Sequence, residues 1–158
     1  MKSYIEKMRQ KIGHDKFIHP AARAIIENSQ GEILFVRRID NGKLGIPAGA
    51  MEENETIEEC IRREVKEEAG IEVLELEVIG ISSSPDLETV YYPNKDVLQY
   101  MTIEFYISKW EGKPQPDAEE TSEAVFLSRE NIEHLPPSER SAFDAWDYYR
   151  KTGRIFLR

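Results

Sequence analysis

The stretch Gly49–Ile71, GAMEENETIEECIRREVKEEAGI, contains a helix whose two ends are marked by its own residues. Thr56 and, three positions later, Glu59 form the pattern of a capping box, which satisfies free backbone N–H groups where a helix begins. Gly70 is typical of the residue that follows a helix. One face of this helix is expected to pack against a sheet, because apolar residues recur at spacings of three and four. These residues are Ile57, Cys60, Ile61 and Val65.

The same helix carries three carboxylates on one side, at positions i, i+3 and i+4: Glu64, Glu67 and Glu68. Like charges at this spacing cost helix stability, and the helix dipole disfavours anions near a C-terminus. A cluster that breaks two local rules indicates a function. Grouped carboxylates suit Mg²⁺ or Mn²⁺ rather than zinc. On spacing alone, a solvated face of a glutamate-rich helix remains an alternative.

A longer motif decides between these two interpretations. The stretch fills every specified position of G-x5-E-x7-R-E-U-x-E-E-x-G-U, the Nudix box, in which U is a bulky aliphatic residue. The residues are Gly49, Glu55, Arg63, Glu64, Val65, Glu67, Glu68, Gly70 and Ile71. A chance match at one start position has a probability of roughly one in 10⁸. The chain therefore resembles the Nudix hydrolases, as a MutT-like single-domain member, and the solvated-face interpretation is rejected.

The resemblance implies a role for each residue of the box. Glu64, Glu67 and Glu68 are similar to the family's metal ligands, and the Gly49 carbonyl to its backbone ligand. Arg63 resembles the residue that orients the glutamates. The implied catalytic set is Glu64, Arg63 and Glu67, with Glu64 or a neighbour as the general base.

Three further positions of the box resemble structural ones. Glu55 is similar to a residue that braces the loop against the helix, while Gly70 and Ile71 are similar to residues that serve the fold. Family members often recruit one more acid from a later loop. Glu120 is the expected residue here, with Glu119 and Glu123 as alternatives; a plain solvated loop is a further alternative.

Substrate contacts are expected from the strands around the box. Arg37 and Arg38 end a strand that should run toward the loop, where one of them can reach a phosphate. Tyr100 lies on a strand that can face the cleft and stack a ring on a base. The alternatives are surface arginines and a core aromatic residue.

The remaining pattern predicts an α+β fold, a mixed sheet flanked by helices, which corresponds to the α/β/α sandwich of the Nudix family. Residues 20–158 are expected to form the hydrolase domain, and residues 1–19 a short helix or a partly ordered arm. A loop is expected over Leu44–Glu55. The expected strands are Ala21–Ile26 and Glu32–Arg37 (joined as a hairpin), Ile71–Ile79, Leu87–Tyr92, Val97–Trp110 and Ala124–Leu127. A last helix is expected over Pro137–Thr152.

Composition and net charge limit the kinds of partner that the protein is expected to bind. The chain has 158 residues, 40% of them hydrophobic, and a formal net charge of −9, which disfavours binding to long nucleic acid. Its single cysteine, Cys60, excludes an intramolecular disulfide, and no apolar run is long enough to predict a membrane span. We expect a cytoplasmic monomer or homodimer that acts on a small nucleotide.

The resemblance implies hydrolysis of a diphosphate linkage by water activated with Mg²⁺ or Mn²⁺. Nucleoside triphosphates are slightly favoured as substrates by the size of the chain. ADP-ribose or another nucleotide sugar is the alternative, because Pro47-Ala48-Gly49 and Pro85 are similar to that branch. A nucleotide sensor without turnover is a further alternative, which the complete set of box residues disfavours.

Overall fold

Nine strands and four α-helices make up the fold, and the computed structural model describes all of residues 1–158. The strands are β1 (Phe17–Ile26), β2 (Ile33–Arg38), β3 (Leu44–Gly45), β4 (Ala48–Ala50), β5 (Glu72–Ser82), β6 (Thr89–Tyr91), β7 (Val97–Glu111), β8 (Thr121–Leu127) and β9 (Phe156–Leu157). The α-helices are α1 (Tyr4–Ile12), α2 (Ile57–Ala69), α3 (Pro85–Glu88) and α4 (Pro137–Thr152), and a 3₁₀ helix spans Arg129–His134. No helix combines the length and apolar character that crossing a membrane requires.

The strands form two sheets. In the larger sheet the order is β4-β1-β7-β5-β9, with β6 also paired to β7. Strand β1 runs parallel to β7, whereas β5 is antiparallel to β7, so this sheet is mixed. The smaller sheet has the order β3-β2-β8 and is antiparallel. The expected class, a mixed sheet flanked by helices, is confirmed.

Helices α2 and α4 cover opposite faces of β1. Successive strand residues point to opposite faces, and Ala24 belongs to the cluster that contains Cys60, Ile61 and Val65 of α2. The neighbouring Ile25 belongs to a second cluster, with Phe143 and Trp146 of α4. Burial of both faces explains why β1 is apolar at almost every position rather than at alternate positions.

The predicted hairpin between the first two strands is wrong. The turn itself is present, because the Asn28 side chain accepts hydrogen bonds from the backbone N–H groups of Gln30 and Glu32. However, β1 and β2 then enter different sheets and share only the isolated bridge between Glu27 and Ile33. Turn residues specify a reversal of the chain, while the long register with β7 decides where β1 pairs.

Other boundaries also differ from the prediction. The predicted loop Leu44–Glu55 contains the short strands β3 and β4, and the predicted strand Leu87–Tyr92 begins instead as the helix α3. Pro85 occupies the first turn of α3, where its missing N–H group is not needed. Strand β9 was not predicted. The boundary expected at residue 20 falls inside β1.

The N-terminal segment contains the helix α1. Ser3 caps α1 through a complete capping box. The helix is tied to the rest of the chain, since the Tyr4 backbone N–H donates to Glu52 and the Arg9 side chain donates to the Val97 carbonyl.

Helix α2 begins and ends where the sequence predicts. Thr56 and Glu59 form the reciprocal capping box, and Gly70 ends the helix at φ 71° and ψ 12°. Gly70 also packs tightly, because a Cβ atom there would lie 2.9 Å from the Gln115 carbonyl oxygen. Gly153 ends α4 at φ 69°, with nothing within 4 Å of the corresponding position.

The two glycines form a matched pair for a stability test. Gly153→Ala should lower the free energy of unfolding by about 1 kcal/mol, which is the cost of the left-handed conformation for alanine. Gly70→Ala should cost about 2 kcal/mol or more, because the methyl group also meets Gln115. Urea denaturation of both variants measures the difference, and equal losses would contradict the contact with Gln115.

Candidate active site

Gly49 in β4 lies directly against the carboxylate of Glu64 in α2. A Cβ atom on Gly49 would be 2.0 Å from Glu64 Cδ, a distance no side chain tolerates. The Gly49 carbonyl oxygen lies 3.8 Å from Cys60 Sγ and accepts its weak hydrogen bond. Glycine is therefore required here by the close approach of the strand to a buried carboxylate.

Arg63 is hydrogen-bonded to several residues of the box. Its guanidinium forms a bidentate pair with Glu55, at 3.0 and 2.7 Å, and donates to Glu64 Oε1 at 2.8 Å. It also donates to Glu67 at 3.3 Å and to the Ala50 carbonyl at 3.2 Å. The hydrogen bonds from Arg63 hold the pKa of Glu55 below its ordinary value. The helix, the preceding loop and β4 are thereby joined through one side chain.

Glu68 is held by a second arginine. Its Oε2 accepts a hydrogen bond from Arg38 at 3.2 Å, and its Oε1 accepts from the Ala48 backbone N–H at 2.8 Å. Arg38 also donates to Glu139 at 2.8 Å, and the Ile46 backbone N–H donates to the same Glu139 oxygen at 3.0 Å. Arg38 thus connects the acidic helix to the first turn of α4.

The charges of the two buried glutamates are balanced only in part by their arginines. Burial raises the pKa of Glu64 to about 7 and that of Glu68 to about 8, although Arg63 and Arg38 act in the opposite direction. Carboxylates in such a site are stabilised in their ionised form by any further cation. Their oxygen atoms are the hard ligands that Mg²⁺ and Mn²⁺ prefer, so the residues fit a divalent cation.

The glutamates do not form a closed cluster of three or more metal-ligating side chains in this structure. The Arg63 guanidinium contacts both Glu64 and Glu67 instead. Glu67 is the most exposed of the three, with a side chain 46% accessible to solvent.

Glu120 lies close to this group. It lines a cavity of about 310 Å³ together with Arg38, Glu68 and Glu119. Burial and then the charge of Glu67 raise the pKa of Glu120. Glu123, the other alternative, lies elsewhere and pairs with Arg37 at 3.0 Å.

Arg37 and Arg38 take different positions because neighbouring residues of a strand point to opposite faces. Arg37 is 40% exposed and donates to Glu123 and to the Gly42 carbonyl, so it is not brought to the acidic group. Arg38 is at the centre of it. Of the two arginines predicted to bind substrate, the structure places only Arg38 in the cleft.

A second cavity, of about 370 Å³, opens beside Gly49 and is lined by Arg38, Tyr100 and Tyr92 among others. The hydroxyl groups of Tyr92 and Tyr100 are 2.9 Å apart and share a hydrogen bond. The predicted substrate residue Tyr100 therefore lies on the wall of a space that adjoins the acidic helix. Its volume falls at the lower end of the range typical of small-molecule sites.

A buried ion-pair network beside this cavity was missed in the sequence. Arg23 pairs with Glu88 and, at 3.0 Å, with Glu104, which also binds Arg158 at 3.1 Å. Arg23 and Glu88 line the cavity. An arginine within the apolar run Ala21–Ile26 is the signal that identifies such a buried charge. Glu139, also missed, carries no comparable signal.

The family follows from comparison with known proteins. A model of the NUDIX domain matches residues 17–149. The chain belongs to the NUDIX family. This NUDIX chain is 31% identical over 142 residues to an ADP-ribose pyrophosphatase from Methanocaldococcus jannaschii, covering 85% of the chain and 79% of that protein. It is 30% identical over 122 residues to the 8-oxo-dGTP diphosphatase of Escherichia coli, covering 74% of the chain and 87% of that protein.

A solved structure supports the same fold for this NUDIX chain. The MutT protein from Methanosarcina mazei Go1 superposes with a TM-score of 0.65 at 25% identity, covering 87% of this chain and 99% of that one. Two other relatives are longer, and the chain spans 41% of their length. The predicted family and class of enzyme, a hydrolase of phosphoric anhydride bonds, are confirmed. NUDIX enzymes generally use divalent metal ions.

Glu139 offers a test of the connection that Arg38 makes between α2 and α4. Glu139→Ala should lower the free energy of unfolding by about 2–3 kcal/mol, because it leaves the Ile46 N–H without an acceptor and Arg38 with one partner fewer. Glu139→Gln retains an acceptor oxygen and should cost less. Chemical denaturation compares the two, and equal stability of the alanine variant and the wild type would contradict the link.

Proposed function

We propose that this NUDIX protein hydrolyses a diphosphate linkage in a nucleoside diphosphate derivative, with Mg²⁺ or Mn²⁺ held by Glu64, Glu67 and Glu68. The observation that carries the proposal is the pair of buried carboxylates, Glu64 and Glu68, each paired with an arginine and each still raised in pKa by burial. Such a site favours an added cation.

The bound cation would neutralise diphosphate oxygens and lower the pKa of a water molecule that attacks phosphorus. The chain's own groups have separate tasks. Arg63 orients Glu64 and Glu67, and Glu55 fixes Arg63 by two hydrogen bonds. Glu64, or a neighbouring glutamate, would take the proton of the water as the general base. The Gly49 carbonyl and Glu120 are proposed as additional ligands.

Arg38 is proposed to bind a substrate phosphate. Of its five N–H donors, three are engaged, by Glu68, Ile46 and Glu139, which leaves Nε–H and one Nη1–H. Each of these free N–H groups can donate a charge-assisted hydrogen bond to a phosphate oxygen. Tyr100 is proposed to contact the nucleoside in the adjoining cavity.

We propose nucleoside triphosphates as the preferred substrates. The cavity beside Gly49, of about 370 Å³, suits one nucleoside better than the larger group of a nucleotide sugar. The acidic chain, with a net charge of −9, disfavours long nucleic acid. ADP-ribose is the second candidate, favoured by the likeness to an ADP-ribose pyrophosphatase over 85% of the chain.

A substrate panel tests the activity directly. Nucleoside di- and triphosphates, ADP-ribose, dinucleoside polyphosphates, NADH and capped RNA should be incubated with the protein and Mg²⁺ or Mn²⁺. We expect turnover of triphosphates to a nucleoside monophosphate and pyrophosphate, with none after removal of the metal by a chelator. Absence of turnover with every compound would contradict the proposal and favour a nucleotide sensor.

Two variants of α2 test the metal ligands. Glu68→Gln should lower kcat by about 100-fold or more while the protein remains folded, because a neutral amide binds the cation weakly. Glu58→Gln is the matched control, since Glu58 lies on the exposed side of the same helix and pairs only with Arg62. Its kcat should equal that of the wild type. Wild-type kcat in folded Glu68→Gln would refute the ligand assignment.

A further inference from the structure

The loop between β7 and β8 is fixed to the C-terminal end of α2 at two points. The Gln115 backbone N–H donates to the Ala69 carbonyl at 2.8 Å. The Thr121 hydroxyl donates to the Glu68 carbonyl at 2.8 Å. Both carbonyls belong to the last turn of the helix, where no backbone donor within the helix is available. The loop therefore supplies hydrogen-bond donors to two carbonyl groups at the end of the helix that carries the glutamates.

Between these two points, the loop is organised around one oxygen atom. Asp117 Oδ1 accepts hydrogen bonds from the backbone N–H groups of Glu119, Glu120 and Thr121, at 3.0, 3.0 and 3.1 Å. Ala118 adopts φ 66°, a left-handed conformation that costs free energy in a residue with a side chain. The three hydrogen bonds to Asp117 offset that cost.

The organised loop determines where Glu120 lies. Its carbonyl accepts a hydrogen bond from the Ile39 N–H at 2.9 Å, which ties the backbone of Glu120 to the residue that follows β2. Its side chain lines the cavity of about 310 Å³ that also contains Glu68 and Arg38. The side-chain hydrogen bonds of Asp117 are all made with Glu119, Glu120 and Thr121, so they serve the turn that leads into β8.

We propose that Asp117 is a positioning residue that holds the Glu120 carboxylate beside the glutamates of α2, where Glu120 contributes to binding the divalent cation. The inference rests on the proposed function, because it assigns Glu120 to the metal site of that reaction. Asp117 acts through Glu120 and touches neither the metal nor the substrate.

Four variants test the inference: Asp117→Ala, Asp117→Asn, Glu120→Gln and the double variant Asp117→Ala/Glu120→Gln. Binding of Mn²⁺ alone is followed by electron paramagnetic resonance, and kcat and the Mg²⁺ concentration for half activation are measured with the best substrate of the panel. Asparagine retains Oδ1 as an acceptor, so Asp117→Asn is the conservative control. Melting temperatures report the structural contribution separately.

We expect Asp117→Ala and Glu120→Gln each to weaken Mn²⁺ binding about 10-fold, as loss of support around a metal site typically does. Asp117→Asn should stay within about 3-fold of the wild type, because it keeps the same acceptor atom. The double variant should be no weaker than Glu120→Gln alone, since both changes remove one interaction.

Several results would overturn the inference. Wild-type Mn²⁺ affinity in Asp117→Ala, even with a lower melting temperature, would leave Asp117 a structural residue only. Wild-type affinity in Glu120→Gln would remove Glu120 from the site, and additive losses in the double variant would separate the two residues. If the wild type hydrolyses no compound, the proposed function fails, but Mn²⁺ binding still decides the role of Asp117.

Discussion

Burial of two carboxylates on the core side of α2 constrains the rest of the site. Glu64 and Glu68 are 7% and 2% exposed, and each would be costly as an unpaired charge. The fold meets this cost with Arg63 and Arg38, which come from the helix itself and from β2. Burial still dominates the pKa of both groups, so the two arginines neutralise the glutamates only in part.

The arginines in turn dictate features that look unrelated in the sequence. Arg38 packs closely on Gly45, where a Cβ atom would lie 2.8 Å from Arg38 Nη2 and would displace the guanidinium from its present position. It also requires Glu139, whose buried oxygen links α4 to the Ile46 backbone. Gly49 leaves room for the Glu64 carboxylate. The need to pair these buried charges thus determines how a strand and a helix pack together. It also explains the glycines at two positions.

The sequence alone was sufficient to predict those parts of the molecule that depend on interactions between neighbouring residues. Helix α2 follows from its capping box, its apolar stripe and Gly70, and the box residues identify the glutamates. Contacts between residues that are far apart in the sequence could not be predicted from it. The turn at Asn28 did not reveal that β1 pairs with β7, and the first turn of α4 did not reveal the contact of Glu139 with Arg38. These depend on tertiary packing that no local pattern encodes.

The different roles of Arg63 and Arg38 follow from the number of N–H donors that each of them has free. A guanidinium has five N–H groups. Those of Arg63 are all engaged, because Nε donates to Glu55, Nη1 to Glu64 and Glu67, and Nη2 to Glu55 and Ala50. Arg63 can therefore bind a phosphate only by releasing one of these partners. Arg38 keeps free donors while Glu139 holds it in place, so it can meet an anion without disturbing the helix. Two adjacent arginines at the end of β2 could not be distinguished from sequence, but the alternation of the strand places only Arg38 where this property can be used.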